Sequence, residues 1–166
     1  MVTGPPDGVA AEVRSLVAGV PDPELPMLTV EDLGVLREVT VGTDGQVTVT
    51  VTPTYSGCPA MDAIRADVAA VLHEHGYSDV TVRTVLAPAW STDWISPAGR
   101  AKLAAAGIAP PGPRTGPGPV PLTLAPRCPR CGTAEVREVS RFGATACQAL
   151  YACRACGEPF AHVKAL

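Results

Sequence analysis

Between Gln46 and Thr54 the chain alternates with a period of two: Val47, Val49 and Val51 fall on one side, Thr48, Thr50 and Thr52 on the other. Successive strand side chains point to opposite faces, so this segment predicts a β-strand with one apolar side turned inward. Val35 to Val41 precedes it, and the connecting Gly42-Thr-Asp-Gly45 predicts a hairpin. The spacing then changes. After Cys58-Pro59, apolar residues recur at helical intervals as Met61, Ile64, Val68, Val71 and Leu72, and Gly76 stops the run. Val80 to Leu86 alternates again and supplies a third strand. Two more helices are expected. One carries Val9, Val13, Leu16 and Val17, with Asp7 as its cap and Gly19 and Pro21 as its stop; the other opens on Ser96-Pro97 and ends at Gly107. The order α-β-β-α-β predicts an α+β domain whose small sheet is covered by helices on one face.

The pattern breaks from Gly107 to Arg127, which reads GIAPPGPRTGPGPVPLTLAPR. Proline removes backbone donors and glycine adds freedom, so a semi-extended linker is expected here rather than a packed element. The predicted organisation is a domain over 1–107, a linker over 108–126 and a second module over 127–166.

That module holds Cys128, Cys131, Cys153 and Cys156, two CxxC pairs separated by 21 residues, each followed by glycine (Gly132 and Gly157). A knuckle of this kind aims two thiolates at one centre while backbone amides steady the sulfur charge. Two knuckles complete an S4 site, the tetrahedral geometry that structural zinc prefers, so a β-rich zinc ribbon is expected. Iron in a rubredoxin-type S4 site is the alternative metal. Four protein ligands leave no open position for catalysis.

A formal charge of -3 and a pI near 5.5 argue against a general nucleic-acid binder, although Arg127, Arg130, Arg137, Arg141 and Arg154 give the cysteine module a local basic tilt. Aromatic residues make up 4% of the chain, so stacking platforms for single strands are scarce. The first residues show neither a basic region nor an apolar core of a secretory signal, and no apolar run is long enough to span a bilayer. Six cysteines without a signal, four in metal spacing, fit a reducing cytoplasm.

Among single residues, Cys58 stands where a strand gives way to a helix N-terminus. Amide donors and the helix dipole there favour an anion, so its thiol is expected to ionise easily, as a transient iron ligand or nucleophile would need. A small cysteine packing the turn is the bland reading. His73 and His75 lie at the far end of that helix, so a Cys-His hydrolase has little support. In Asp22-Pro23-Glu24-Leu25-Pro26 the proline is expected to direct two carboxylates outward, toward a metal, a basic partner or merely solvent. Trp90 and Trp94 are either an interface anchor or a cap on the core. Cys147 is either an auxiliary ligand for metal exchange or a buried small residue, and His162 has no usual ligand spacing.

The ordered set Asp-Pro-Glu-Leu-Pro26, Glu-Asp-Leu-Gly34 and Thr-Tyr-Ser-Gly-Cys-Pro59 resembles the SufT-like iron–sulfur assembly domain. With Pro88-Ala-Trp-Ser-Thr-Asp-Trp94, Gly107-Ile-Ala-Pro-Pro111 and Phe142-Gly-Ala-Thr-Ala-Cys-Gln-Ala-Leu-Tyr151, the whole chain resembles the PaaD family, the D component of bacterial phenylacetyl-CoA epoxidase systems. That resemblance implies a non-catalytic role in aerobic phenylacetate breakdown: maturation of a multicomponent oxygenase built from a di-iron subunit and an iron–sulfur flavin reductase. It places cluster or iron transfer at Cys58, with Asp22 and Glu24 beside it, and makes the reductase or the di-iron subunit the expected partner. A structural adaptor without metal transfer is the competing function. A homodimer would bring two Cys58 thiolates to one cluster.

Overall fold

The computed structural model describes residues 6–112 and 125–164. It divides into two compact units, one ending at Trp90 and the other beginning at Ser91.

In the first unit, β1 (Leu36–Val41) and β2 (Val47–Val51) form the expected antiparallel hairpin. Helix α2 (Ala60–Glu74) then carries the chain over to β3 (Val80–Thr84), which pairs with β2 in parallel, giving the order β1-β2-β3. Period two decides the packing: Val47, Val49 and Val51 are fully buried, whereas Thr48 and Thr50 on the opposite side are half-buried. Val13 and Val17 of α1 (Pro6–Ala18) and Ile64, Val68 and Leu72 of α2 complete the core. Helix α1 begins at Pro6, so Asp7 falls within its bounds.

Between α1 and β1 the chain folds back on itself. Pro21 bridges Thr29, the Val30 amide donates to the Val20 carbonyl, and the Asp22 amide donates to that of Leu28. Leu25, Leu28 and Val30 are buried, which pins this loop to the domain.

The second unit opens with a single 3-10 turn, Thr92–Trp94, and α3 (Pro97–Ala105), whose Ser96 side chain accepts the Gly99 amide as a proper N-cap. Its ribbon is an antiparallel sheet of β4 (Val136–Ser140), β5 (Gln148–Cys153) and β6 (Pro159–Val163). Two expectations change here. Helix α3 belongs with the ribbon unit, and the division falls at Trp90 rather than Gly107. Nor is the start of the expected linker loose: Ala109 is buried, pairs with His162 of β6, and accepts the His162 ring N–H at 3.1 Å. Residues 113–124, most of the predicted linker, lie outside the described residues.

Among the described residues no helix is long and apolar enough to cross a membrane.

Candidate metal centre and acidic cysteine site

The two CxxC turns are near copies. In the first, the Cys128 amide donates to Thr133 and Gly132 donates back to the Cys128 carbonyl; in the second, Cys153 donates to Glu158 and Gly157 to Cys153. Both glycines have a positive φ, +74° and +78°, a backbone state that side chains disfavour. That repetition delivers four sulfurs to one point. Cys128 and Cys156 Sγ are 3.7 Å apart, Cys131 and Cys153 Sγ 3.6 Å, and all four lie within 4.8 Å of one another. Sulfurs at the corners of a tetrahedron about 2.3 Å from zinc stand roughly 3.8 Å apart, so the donor set fits the ion.

Charge points the same way. Amide donation from Cys156 leads the causes that lower the Cys153 thiol to about 7. At Cys131 the Thr133 amide also favours the thiolate, but burial and hydrogen bonding among the neighbouring thiols outweigh it and push the thiol up to about 12. Cys131 and Cys153 are thus driven in opposite directions, and a divalent cation is what would relieve that competition for charge. The ribbon's own apolar cluster is small: Ala109, Cys128, Cys153 and Phe160, with Val136 and Tyr151 against it.

Cys147 is not part of this centre. It is buried in the β4–β5 connection with its Sγ 3.0 Å from Thr145 Oγ1, and the group of four excludes it.

In the first unit, Gly57 takes φ +86° to turn the chain from β2 into Cys58-Pro59, and α2 starts at Ala60 without a side-chain cap. Cys58 is half-buried. Contrary to the sequence expectation, its thiol is held above the usual cysteine range. Burial is the main cause; the Ala60 amide and the Tyr55 hydroxyl favour the thiolate, but Glu24 and Asp22 oppose it. The helix terminus does supply an amide, and the rest of the surroundings override it. The charges of Glu24 and Asp22 thus act on the Cys58 thiol, with burial the larger effect.

The two carboxylates differ in kind. Asp22 does not point outward: it is 7% exposed, and its Oδ1 accepts the amides of Glu24 at 2.9 Å and Leu25 at 2.7 Å. This Asx turn shapes the loop, a role that Asp before proline could have announced. Glu24 is half-buried, and burial together with the Asp22 charge raises its carboxyl. Tyr55, inside the motif but given no role from sequence, touches the Cys58 thiol.

Trp90 is a core residue rather than an interface anchor: it is 6% exposed and its indole donates to the Leu33 carbonyl at 2.9 Å. Trp94 is half-buried in the 3-10 turn that opens the second unit.

Comparison with known proteins fits this two-part layout. Residues 10–84 match the model described as an iron–sulfur cluster assembly protein, and residues 119–164 match the PaaD zinc beta ribbon domain. Over 155 residues, 93% of this chain and 92% of the relative, it is 41% identical to an Escherichia coli (strain K12) protein named as a candidate D component of 1,2-phenylacetyl-CoA epoxidase. The chain belongs to the PaaD family. The chain is also 38% identical over 86 residues to a Porphyromonas gingivalis (strain ATCC BAA-308 / W83) protein named an Fe–S protein maturation auxiliary factor, covering 51% of this chain and 81% of that one. A crystal structure of a domain of unknown function (DUF59) from Bacillus anthracis superposes with a TM-score of 0.55 at 27% identity, covering 58% of this chain and 92% of the other.

Proposed function

We propose that this PaaD-family chain is a non-catalytic accessory factor that hands iron or an iron–sulfur cluster to a component of phenylacetyl-CoA epoxidase. The observation that carries this reading is the single half-buried thiol of Cys58 at the turn into α2, on which the charges of Glu24 and Asp22 act. One thiolate and one reachable carboxylate make an incomplete ligand set. The remaining ligands must come from the client, a second copy or the cargo's own sulfide, and that suits transfer better than storage. The names of the two curated relatives support the same direction.

The electrostatics give Cys58 a loading rule. Burial and two neighbouring carboxylates keep the thiol protonated when alone, and protect it from stray electrophiles. An arriving iron cation replaces the thiol proton, which leaves to solvent, and the same carboxylates then attract the metal instead of opposing the thiolate. Loading therefore releases one proton per Cys58–iron bond and strengthens as pH rises toward the thiol's own range.

The ribbon would hold a resident zinc on Cys128, Cys131, Cys153 and Cys156, where the ion supplies a structural crosslink. Those residues bind it and close its coordination sphere.

The deciding experiment is iron, zinc and acid-labile sulfide content of protein purified without oxygen, wild type against Cys58→Ala, together with cluster loading of the epoxidase reductase in cells. Zinc in both proteins, with extra iron or sulfide and full client loading only in wild type, is the expected result. Zinc alone in both and a fully loaded reductase would sink the transfer reading and leave a structural adaptor.

A further inference from the structure

The charge of -3 conceals an opposition between the two units. Residues 1–90 hold twelve acidic against four basic side chains, whereas residues 91–166 hold four acidic against nine basic. On the basic unit, the β4–β5 connection presents Phe142 with 72% of its surface exposed, between Arg141 (side chain 86% exposed) and Gly143, and with Val139 47% exposed just before it. A single exposed apolar side chain is common on protein surfaces, so its setting decides whether it is of use.

This turn is also locked. Ser140 Oγ donates to the Phe142 carbonyl at 2.8 Å and accepts the Phe142 amide at 3.1 Å. The Gly143 amide donates to Gln148, and a Cβ at Gly143 would meet that of Gln148 at 2.9 Å, so the backbone has little room to move. Lys164 donates to the Ala146 carbonyl at 2.8 Å while its ammonium stands 4.9 Å from the centre of the Phe142 ring. A ring whose backbone is already fixed loses little freedom when it binds, which is how an anchor differs from a loose exposed side chain. An aromatic residue beside an arginine has the composition of an interface hot spot.

We propose that the Phe142 turn is a protein-docking anchor, received by an apolar pocket bordered by carboxylates on an acidic partner protein. Phe142 fills the pocket, and Arg141 and Arg137 meet its rim. Arg137 lies on the sheet side shared with Ala152, Leu150 and Ala161, which are half-buried, opposite Tyr151 and Phe160. A nucleic acid fits less well, because the chain is acidic as a whole and this surface offers one ring rather than a series of platforms.

The test places a benzophenone-bearing phenylalanine analogue at position 142 of the full chain, irradiates cells, and sequences the crosslinked peptides. The expected product joins position 142 to an apolar segment flanked by Asp and Glu in one protein. Its yield should fall about tenfold with Arg137→Glu and Arg141→Glu together, since rim charges govern encounter and register. Phe142→Ser without the crosslinker should weaken the same complex while the ribbon keeps its zinc, which excludes simple unfolding. Crosslinks to nucleic acid or to a second copy, yields no higher than from a probe at exposed Leu86, or indifference to charge reversal would each overturn the proposal. Cys58→Ala should leave the crosslink intact, so docking and cargo transfer fail separately.

Discussion

Asp22 offers a sharp discrimination between a residue that shapes the site and one that binds cargo. Its Oδ1 satisfies two amides in a buried loop. Asp22→Ala leaves both donors without a partner, and at about 1–3 kcal/mol for each buried donor, offset in part by removing a buried carboxyl, the net loss should be roughly 2–4 kcal/mol. Asp22→Asn keeps an amide oxygen where Oδ1 stands and removes the ionisable group, so it should stay within about 1 kcal/mol of wild type at neutral pH. Urea unfolding followed through Trp90 in a Trp94→Phe background measures the first unit.

The pH dependence adds a second readout. Burial raises the Asp22 carboxyl, and the Leu25 and Glu24 amides only partly counter it. A group raised in the folded state takes up its proton there more readily than in the unfolded chain. Its stabilising contribution is therefore present below the unfolded carboxylate range and is lost as pH rises through the raised folded value. Asp22→Asn has no such loss, so its stability relative to wild type should improve across that rise. If Asp22→Ala is as stable as wild type, or Asp22→Asn folds normally yet abolishes iron or cluster binding, Asp22 is a ligand and the structural assignment is wrong.

Other outcomes follow from the same structure. Chelating the ribbon metal, or replacing Cys128 with Ser, should cost the ribbon its fold, because structural zinc supplies on the order of 10 kcal/mol and the apolar cluster around it is small; persistent amide protection in β4–β6 under chelator would contradict this. Glu24→Gln removes a charge that opposes the Cys58 thiolate, so the pH midpoint for alkylating Cys58 should move down, and no movement would break the claimed coupling. Trp90→Phe deletes the indole bond to Leu33 and should destabilise the first unit by about 1–2 kcal/mol in chemical denaturation. Among the described residues Thr52 Oγ1 is buried without a hydrogen-bond partner, so Thr52→Val should be neutral or stabilising in the same assay.

Local chemistry was legible and distant chemistry was not. The valine–threonine alternation of β2, the helical spacing of α2 and the Ser96 cap are written in neighbouring residues, and all three appear where expected. The S4 centre was equally readable, since each knuckle is a short turn that builds itself. What failed depended on partners remote in sequence. Nothing near Trp90 announces that its indole reaches Leu33. Ser96-Pro97 marks where α3 begins but not which unit it joins. The Arg100 hydrogen bonds to the Thr92 and Pro111 carbonyls and the packing of Ala109 tie its surroundings to the ribbon unit. Phe142 carries no periodicity at all.

Cys58 shows why position alone misjudges reactivity, and the contrast with the ribbon bears on function. Both sites set cysteine sulfur among backbone amides, yet they treat charge in opposite ways. In the ribbon, amide donors and a complete set of four sulfurs fit an ion that needs nothing further, which suits a metal meant to stay. At Cys58 the Ala60 amide and the Tyr55 hydroxyl are outweighed by burial and by carboxylates. A bare thiolate is costly there, but a thiolate neutralised by a bound cation is not. On the proposed reading, such a site would be quiet when empty and would take metal with loss of a proton, its one sulfur leaving coordination positions for a client to claim.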